Sequence, residues 1–232
     1  MGPTRIESLG GKRYIIVVVD DFTRYTWVIL LRSKSDAPEH IEALCTRLQN
    51  EKNMKIDQIW NDHGKEFENS YMESFCTKSG ISHEFSTPIT PQQNGVVERK
   101  NRVINEMARA TLHSKDVARN LWGEAINTAC DTVNWVYFRP GTKKTPYDLW
   151  KGRKSNVKYF KIFGSTCFIL NDRENVGKFD SWSSEGIFLG YFSTSKAYWV
   201  YNKRTKKVME TMNVVIDEAL DSGFEKSSEE IP

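Results

Sequence analysis

Long apolar runs are missing from this chain of 232 residues: none approaches the roughly 18 consecutive apolar residues that a membrane-spanning helix needs. The first residues have neither the basic start nor the apolar core of a secretory signal, so secretion is not expected. Cysteine is scarce. Cys45, Cys76, Cys130 and Cys167 stand far apart in apolar surroundings, which favours buried reduced thiols over disulfides. The histidines, His40, His63, His83 and His113, show no ligand spacing with them, which argues against a zinc site. Internal repeats are absent too. Net charge is only +3, but it is unevenly placed. Asp217 to Pro232 carries six acids and one lysine, so the preceding residues hold +8. A basic body favours polyanionic partners, and the acidic end reads as a flexible tail.

What is present is a pair of acids in distinctive surroundings. Asp62 lies in Trp60-Asn61-Asp62-His63-Gly64-Lys65-Glu66-Phe67, and Glu98 in Gln92-Gln93-Asn94-Gly95-Val96-Val97-Glu98-Arg99, with 35 residues between them. Spacing alone says little, because with 30 acids in 232 residues a chance partner at a fixed offset turns up about one time in eight. The flanks carry the weight. Asp62 ends an alternating run, Ile56 to Asn61, and is followed by a glycine that permits a sharp turn. Glu98 falls in the first turns of a long helical pattern that starts at Asn94-Gly95. Carboxylates suit hard divalent cations, and transfer of a DNA phosphodiester needs charge neutralised on both attacking and leaving oxygens.

Periodicity predicts strands at 14–19 and 26–31 joined by a turn through Asp21 to Arg24, then a helix after Ser35 with Ile41, Leu44, Cys45 and Leu48 on one face. A strand near 56–60, a helix carrying Phe67, Tyr71, Phe75 and Cys76, and a short strand at 83–85 follow. On the helix over 94–113, Val97, Ile104, Ala108 and Thr111 or Leu112 form an inward face. Glu98, Arg102, Asn105 and Arg109 make an adjacent stripe at i, i+4, i+7 and i+11. That stripe could lie along phosphates or be an ordinary solvated face with a Glu98–Arg102 pair. A buried helix from Leu121 to Val136 stops at Arg139-Pro140-Gly141, and a short helix has Thr145 as cap and Pro146 at its first position. From Phe163 onward short strands are expected at 167–170, 186–191, 197–201 and 208–216, with Tyr191, Tyr198, Trp199 and Tyr201 reading as core more than as a stacking platform.

Gly10-Gly11-Lys12-Arg13-Tyr14, Val19-Asp20-Asp21-Phe22-Thr23-Arg24-Tyr25-Thr26-Trp27, Asp62-His63-Gly64 and Gln92 to Arg99 together resemble the integrase core of copia-type LTR retrotransposon Pol polyproteins. The likeness continues through Pro146-Tyr147-Asp148-Leu149-Trp150, Phe163-Gly164-Ser165 and Gly190-Tyr191. It implies an α/β, RNase H-like catalytic core followed by a small SH3-like β-barrel. It also implies three carboxylates holding two divalent ions, Mg²⁺ or Mn²⁺, of which Asp62 and Glu98 match the second and third. In that family the first acid lies a few residues ahead of the Gly-Pro that opens this segment. Here the chain begins Met1-Gly2-Pro3, so that acid is expected upstream and the N-terminal edge strand is expected to be truncated. Asp20 and Asp21 align with the second strand, which favours a turn role for them.

The expected domains are a core over 1–140, a helical connector over 141–160, a barrel over 161–217 and an acidic tail over 218–232. Lys65, Asn94, Gly95, Arg99, Arg102, Asn105 and Arg109 are the DNA-contact candidates. The resemblance implies insertion of element cDNA into target DNA by transesterification, a homo-oligomer assembled on DNA and no membrane partner. For location it implies a cytoplasmic virus-like particle and then the nucleus. Two other readings stay open. One is a catalytically silent nucleic-acid-binding or assembly fragment. The other is a hydrolase of other substrates using Asp62 and Glu98 as acid and base, which would work in EDTA.

Overall fold

The computed structural model describes residues 2–61, 64, 67–86, 94–170, 181–192 and 197–218. The chain divides into two compact units, Met1–Val19 with Trp27–Arg102, and Asp20–Thr26 with Val103–Pro232.

In the first unit, β1 (Tyr14–Val19) and β2 (Thr26–Leu31) form a two-stranded hairpin, built from β-branched and apolar residues that suit a pleated, half-buried surface. Helix α1 (Ala37–Lys52) follows a short 3₁₀ turn that Ser33 and Asp36 close as a capping box. It carries Pro38 in its first turn and ends at Asn53 in the left-handed conformation. Strand β3 (Gln58–Asn61) pairs in parallel with β4 (Ser82–Phe85), Gln58 opposite Ser82 and Asn61 opposite Phe85. Between them runs α2 (Ser70–Ser79), where Asn69 caps the start through the Met72 N–H and Gly80 closes the end at φ +66°. A parallel pair requires such a crossover, since no tight turn can reverse the chain twice.

Among the described residues the two strand pairs are separate two-stranded sheets. They nonetheless share a core. Ile41 and Cys45 of α1, Met72, Phe75 and Cys76 of α2, and Ile81 bury against Ile16 and Val18 of β1, Ile29 of β2 and Ile59 of β3. The helix predicted around Phe67 starts three residues later, at the Asn69 cap; Phe67 itself packs on this core.

Helix α3 (Gly95–Ser114) runs across the division between the units, which falls after Arg102. In the second unit, α4 (Trp122–Val136) buries Trp122, Ala125, Ile126, Ala129, Cys130 and Val133. Helix α5 (Pro146–Lys151) begins at the Thr145–Asp148 capping box. Five antiparallel strands follow: β5 (Thr166–Leu170), β6 (Ser183–Tyr191), β7 (Tyr198–Asn202), β8 (Lys207–Thr211) and β9 (Val214–Asp217), in the order β8-β7-β6-β5-β9. The single run expected over 208–216 is two strands. Met212 and Asn213 break it, with the Asn213 N–H held by the Thr211 hydroxyl at 3.1 Å.

A bulge in β6 at Leu189 frees its carbonyl, which accepts the Thr128 hydroxyl of α4 at 2.7 Å. The neighbouring Gly190, at φ +140°, has no room for a side chain because Thr128 presses against it. Tyr191 and Tyr198 sit in an aromatic cluster with Trp135, Phe160 and Phe188, and Trp199 packs on Phe192, so these rings are structural. All four cysteines are buried and unbridged. Burial pushes the Cys45 thiol up to about 11, with Cys76 beside it adding to the rise, so neither is a ready nucleophile. No described helix is long and apolar enough to cross a membrane.

Candidate active site and nucleic-acid interface

Strand β3 delivers the chain to Asn61, one residue before Asp62. Asp62 and Lys65 lie outside the described residues, as does His63. What surrounds their entry is described. Asn61 and His83 stand on neighbouring strands in the inward phase of the alternation, with Ile59 and Phe85. The Asn61 Oδ1 and the His83 Nε2 are both buried without a hydrogen-bond partner in the protein. Burial lowers the His83 pKa, which keeps the ring neutral at physiological pH, and the ring packs on Phe85 at 4.5 Å between centroids. Neither residue was picked from the sequence. The signal available was a polar residue in the buried phase of an alternating strand, where an unpaired polar atom costs free energy unless something satisfies it.

Glu98 is in the first turn of α3 and is exposed. Asn94 immediately precedes the helix and Gly95 opens it, with the Arg99 guanidinium 3.8 Å from where a side chain on Gly95 would begin. The predicted stripe is realised along one helix: Glu98, Arg102 and Arg109 are exposed and Asn105 is half-buried. On the inward side Ile104 and Ala108 are buried, while Val97, Thr111 and Leu112 are only half-buried. Among the described residues the Glu98–Arg102 pair is not formed, and neither Arg102 nor Arg109 joins an ion pair.

Asp20 and Asp21 belong to the β1–β2 turn. The Asp20 carboxylate accepts the Thr23 N–H at 2.7 Å and its hydroxyl at 2.6 Å, and Asp21 is paired with Arg24, which turns at φ +63°. Both acids are spent on holding that turn. No group of three or more metal-binding side chains occurs among the described residues.

Residues 3–91 match the family profile described as Integrase core domain, and residues 165–230 match the Retroviral polymerase SH3-like domain. The chain is 33% identical over 218 residues to the Retrovirus-related Pol polyprotein from transposon TNT 1-94 of Nicotiana tabacum, an alignment covering 94% of this chain and 16% of that protein. The chain belongs to the integrase region of copia-type retrotransposon Pol polyproteins. A second relative, the Retrovirus-related Pol polyprotein from transposon RE2 of Arabidopsis thaliana, is 30% identical over 92% of this chain and 14% of its own length. This integrase region thus spans a small part of the polyproteins it matches.

Its fold is shared with a solved simian T-cell lymphotropic virus intasome in complex with PP2A regulatory subunit B56 gamma. That likeness has a TM-score of 0.51 and 16% identity, and covers 78% of this chain and 67% of that one. The fold is an RNase H-like core followed by an SH3-like domain of five antiparallel strands, as the resemblance implied.

Proposed function

We propose that this chain is the part of a retrotransposon integrase that joins element cDNA to target DNA, with Asp62 and Glu98 as metal-holding carboxylates and the α3 stripe as a DNA-backbone contact. The observation that carries the reading is the placement of Glu98. It is an exposed carboxylate on the first turn of a helix whose same face then presents Arg102 and Arg109.

The residues present suit a divalent cation of the Mg²⁺ or Mn²⁺ type. Glu98 offers hard oxygen donors, and the buried, unpartnered Asn61 Oδ1 stands at the strand end that leads into Asp62. Asp62 and Glu98 would hold such ions, two in a complete site. Bound there, they would neutralise charge on the phosphate oxygens during in-line displacement. The protein's own contributions are separable from that. Helix α3 fixes Glu98 on a rigid element, and Arg102 and Arg109 bind phosphates and set the register of the DNA without reading its sequence. Oligomerisation on DNA, and passage from a cytoplasmic particle to the nucleus, belong to the same reading.

A joining assay with a labelled donor end, a target duplex and Mg²⁺ tests it, using the chain extended at its N-terminus by a strand that bears an acid. Metal-dependent joined product is expected, and EDTA should abolish it. Turnover that persists in EDTA would instead favour acid–base hydrolysis and overturn the assignment.

A further inference from the structure

Glu218, the last of the described residues, is seated in a built position. Its Oε1 accepts the Ile162 N–H at 3.0 Å, its Oε2 lies 3.7 Å from Lys161 Nζ, and its carbonyl accepts Lys115 Nζ at 3.2 Å. Both lysines are themselves held. The Tyr191 hydroxyl accepts the Lys161 N–H at 2.6 Å and donates to the Lys161 carbonyl at 3.3 Å, which ties the main chain that presents Lys161 to the end of β6. Lys115 lies against Gly164: a Cβ there would stand 2.8 Å from the Lys115 Cβ, so only a glycine at φ +85° leaves that stem its path. All of these residues belong to the second unit.

The stretch that leads to this seat combines charge of one sign with uncovered apolar groups. Residues 151–161 hold five cations, Lys151, Arg153, Lys154, Lys158 and Lys161, and no acid. Asp148, just ahead of them, is taken up by the backbone: its carboxylate accepts the Thr145 N–H at 3.2 Å and the Ser155 N–H at 2.7 Å. Lys154 and Lys158 are exposed and, among the described residues, join no ion pair. Val157, Tyr159 and Ile162 are 49%, 61% and 50% exposed. The 3₁₀ turn Val157–Tyr159, closed by the Phe160 N–H on the Val157 carbonyl at 3.0 Å, keeps these groups close to Lys161. Four residues of chain bound that separation at roughly 14 Å.

Residues 219–232 lie outside the described residues, but their order is complementary to this surface. Leu220 and Phe224 are each followed by an acid, Asp221 and Glu225, and Glu229 and Glu230 come after. Apolar and acidic residues thus alternate there as apolar and basic ones do over 157–162. Because Glu218 is already bound at Lys161 and Ile162, the residues after it meet the cations at high effective concentration. The seven residues from Glu218 to Glu225 reach roughly 24 Å when extended, enough to span the turn. Carboxylates placed there also relieve the repulsion among like charges on one short stretch.

We infer that the chain's own acidic segment, residues 219–230, docks in cis on the surface formed by residues 154–162 and competes there with polyanions. Leu220 and Phe224 cover the exposed apolar groups, and Asp221 and Glu225 meet Lys154 and Lys158. The contact needs neither metal nor Asp62, so it stands or falls apart from the joining reaction.

Hydrogen–deuterium exchange of the whole chain tests this. At about 50 mM salt the amides of 219–230 are expected to exchange about tenfold more slowly than in the free peptide, and to lose that protection at about 0.5 M salt. Lys154→Gln with Lys158→Gln should release the segment, as should Asp221→Asn with Glu225→Gln. Exchanging the charges, with Lys154→Glu and Lys158→Glu against Asp221→Lys and Glu225→Lys in one chain, should restore protection. Thermal melts of each variant matching the native chain exclude misfolding. Heparin added at low salt should release the segment from the native chain. Free-peptide rates in the native chain at low salt overturn the docking, as does protection that survives both neutralising pairs or a charge exchange that fails to restore it. Protection that grows with protein concentration shows that a second copy supplies the segment and overturns the cis contact. Protection unchanged by saturating heparin overturns the competition.

Discussion

Asn134 and Thr26, 108 residues apart, hold each other by a reciprocal pair of hydrogen bonds: the Thr26 N–H donates to Asn134 Oδ1 at 2.8 Å and Asn134 Nδ2 donates to the Thr26 carbonyl at 2.7 Å. Both residues are 1% exposed. The amide side chain thus substitutes for a strand neighbour at the first residue of β2. Asn134→Ala leaves the buried Thr26 N–H unpaired and the Thr26 carbonyl with only the weak Cys130 thiol donor at 3.2 Å, and should cost about 2 kcal/mol, read as a lower urea midpoint at constant slope. A change under about 0.5 kcal/mol would show that water replaces the amide.

In a chain extended at its N-terminus, Glu98→Gln and Asp62→Asn should each abolish Mg²⁺-dependent joining while leaving circular dichroism and melting unchanged, because each removes a charged oxygen donor at almost constant shape. Near-native joining by either variant removes that residue from the catalytic assignment.

Arg102→Ala and Arg109→Ala should weaken binding about equally for duplexes of unrelated sequence, and each should lower the salt slope by about 0.9. Both side chains already extend to solvent, so neither change should move the melting temperature. An unchanged slope would make the stripe an ordinary solvated helix face.

Burial pushes the Asp131 carboxyl on α4 up to about 7, against about 3.9 in an unfolded chain. Between those values the folded protein binds more protons than the unfolded one, so stability falls as pH rises from about 4 to about 7. Glu124 on the same helix is raised by burial too and adds to the slope. Asp131→Asn should flatten that dependence and gain about 4 kcal/mol at pH 8 relative to pH 4, by urea denaturation at each pH. A native profile already flat across this window would contradict the burial argument.

Among the described residues, strands β1 and β3 each pair on one side only, and both contribute to the same core. An added apolar strand ahead of residue 1 should therefore slow amide exchange in Tyr14–Val19 and Gln58–Asn61 and raise the melting temperature, by supplying partners to open backbone groups. Unchanged exchange in both strands would mean that the added strand docks elsewhere.

Local signals that act within a few residues were legible in the sequence. Tyr14–Val19 and Thr26–Leu31 appear where alternation placed them, and α5 begins at Thr145 and Pro146 because a cap and a proline specify a helix start without tertiary help. The Glu98–Arg102–Asn105–Arg109 stripe follows from helical period alone. The turn over 203–207 was not legible, because it is closed by the buried Asn202 side chain accepting the Arg204 and Thr205 N–H groups, and that burial depends on the packed sheet.

Sequence by itself thus determined the element types, the family and the chemical character of the Asp62 and Glu98 positions, since each depends on residue type and short-range spacing. Only the tertiary structure decided that Asp20 and Asp21 are turn locks, that β1–β2 and β3–β4 are separate pairs over one core, and that Asn61 and His83 keep buried polar atoms unpaired. Those outcomes depend on which segments distant in the chain come to share a core and on which backbone groups then find partners, and hydrophobic burial and hydrogen-bond satisfaction are settled only once the whole chain has packed.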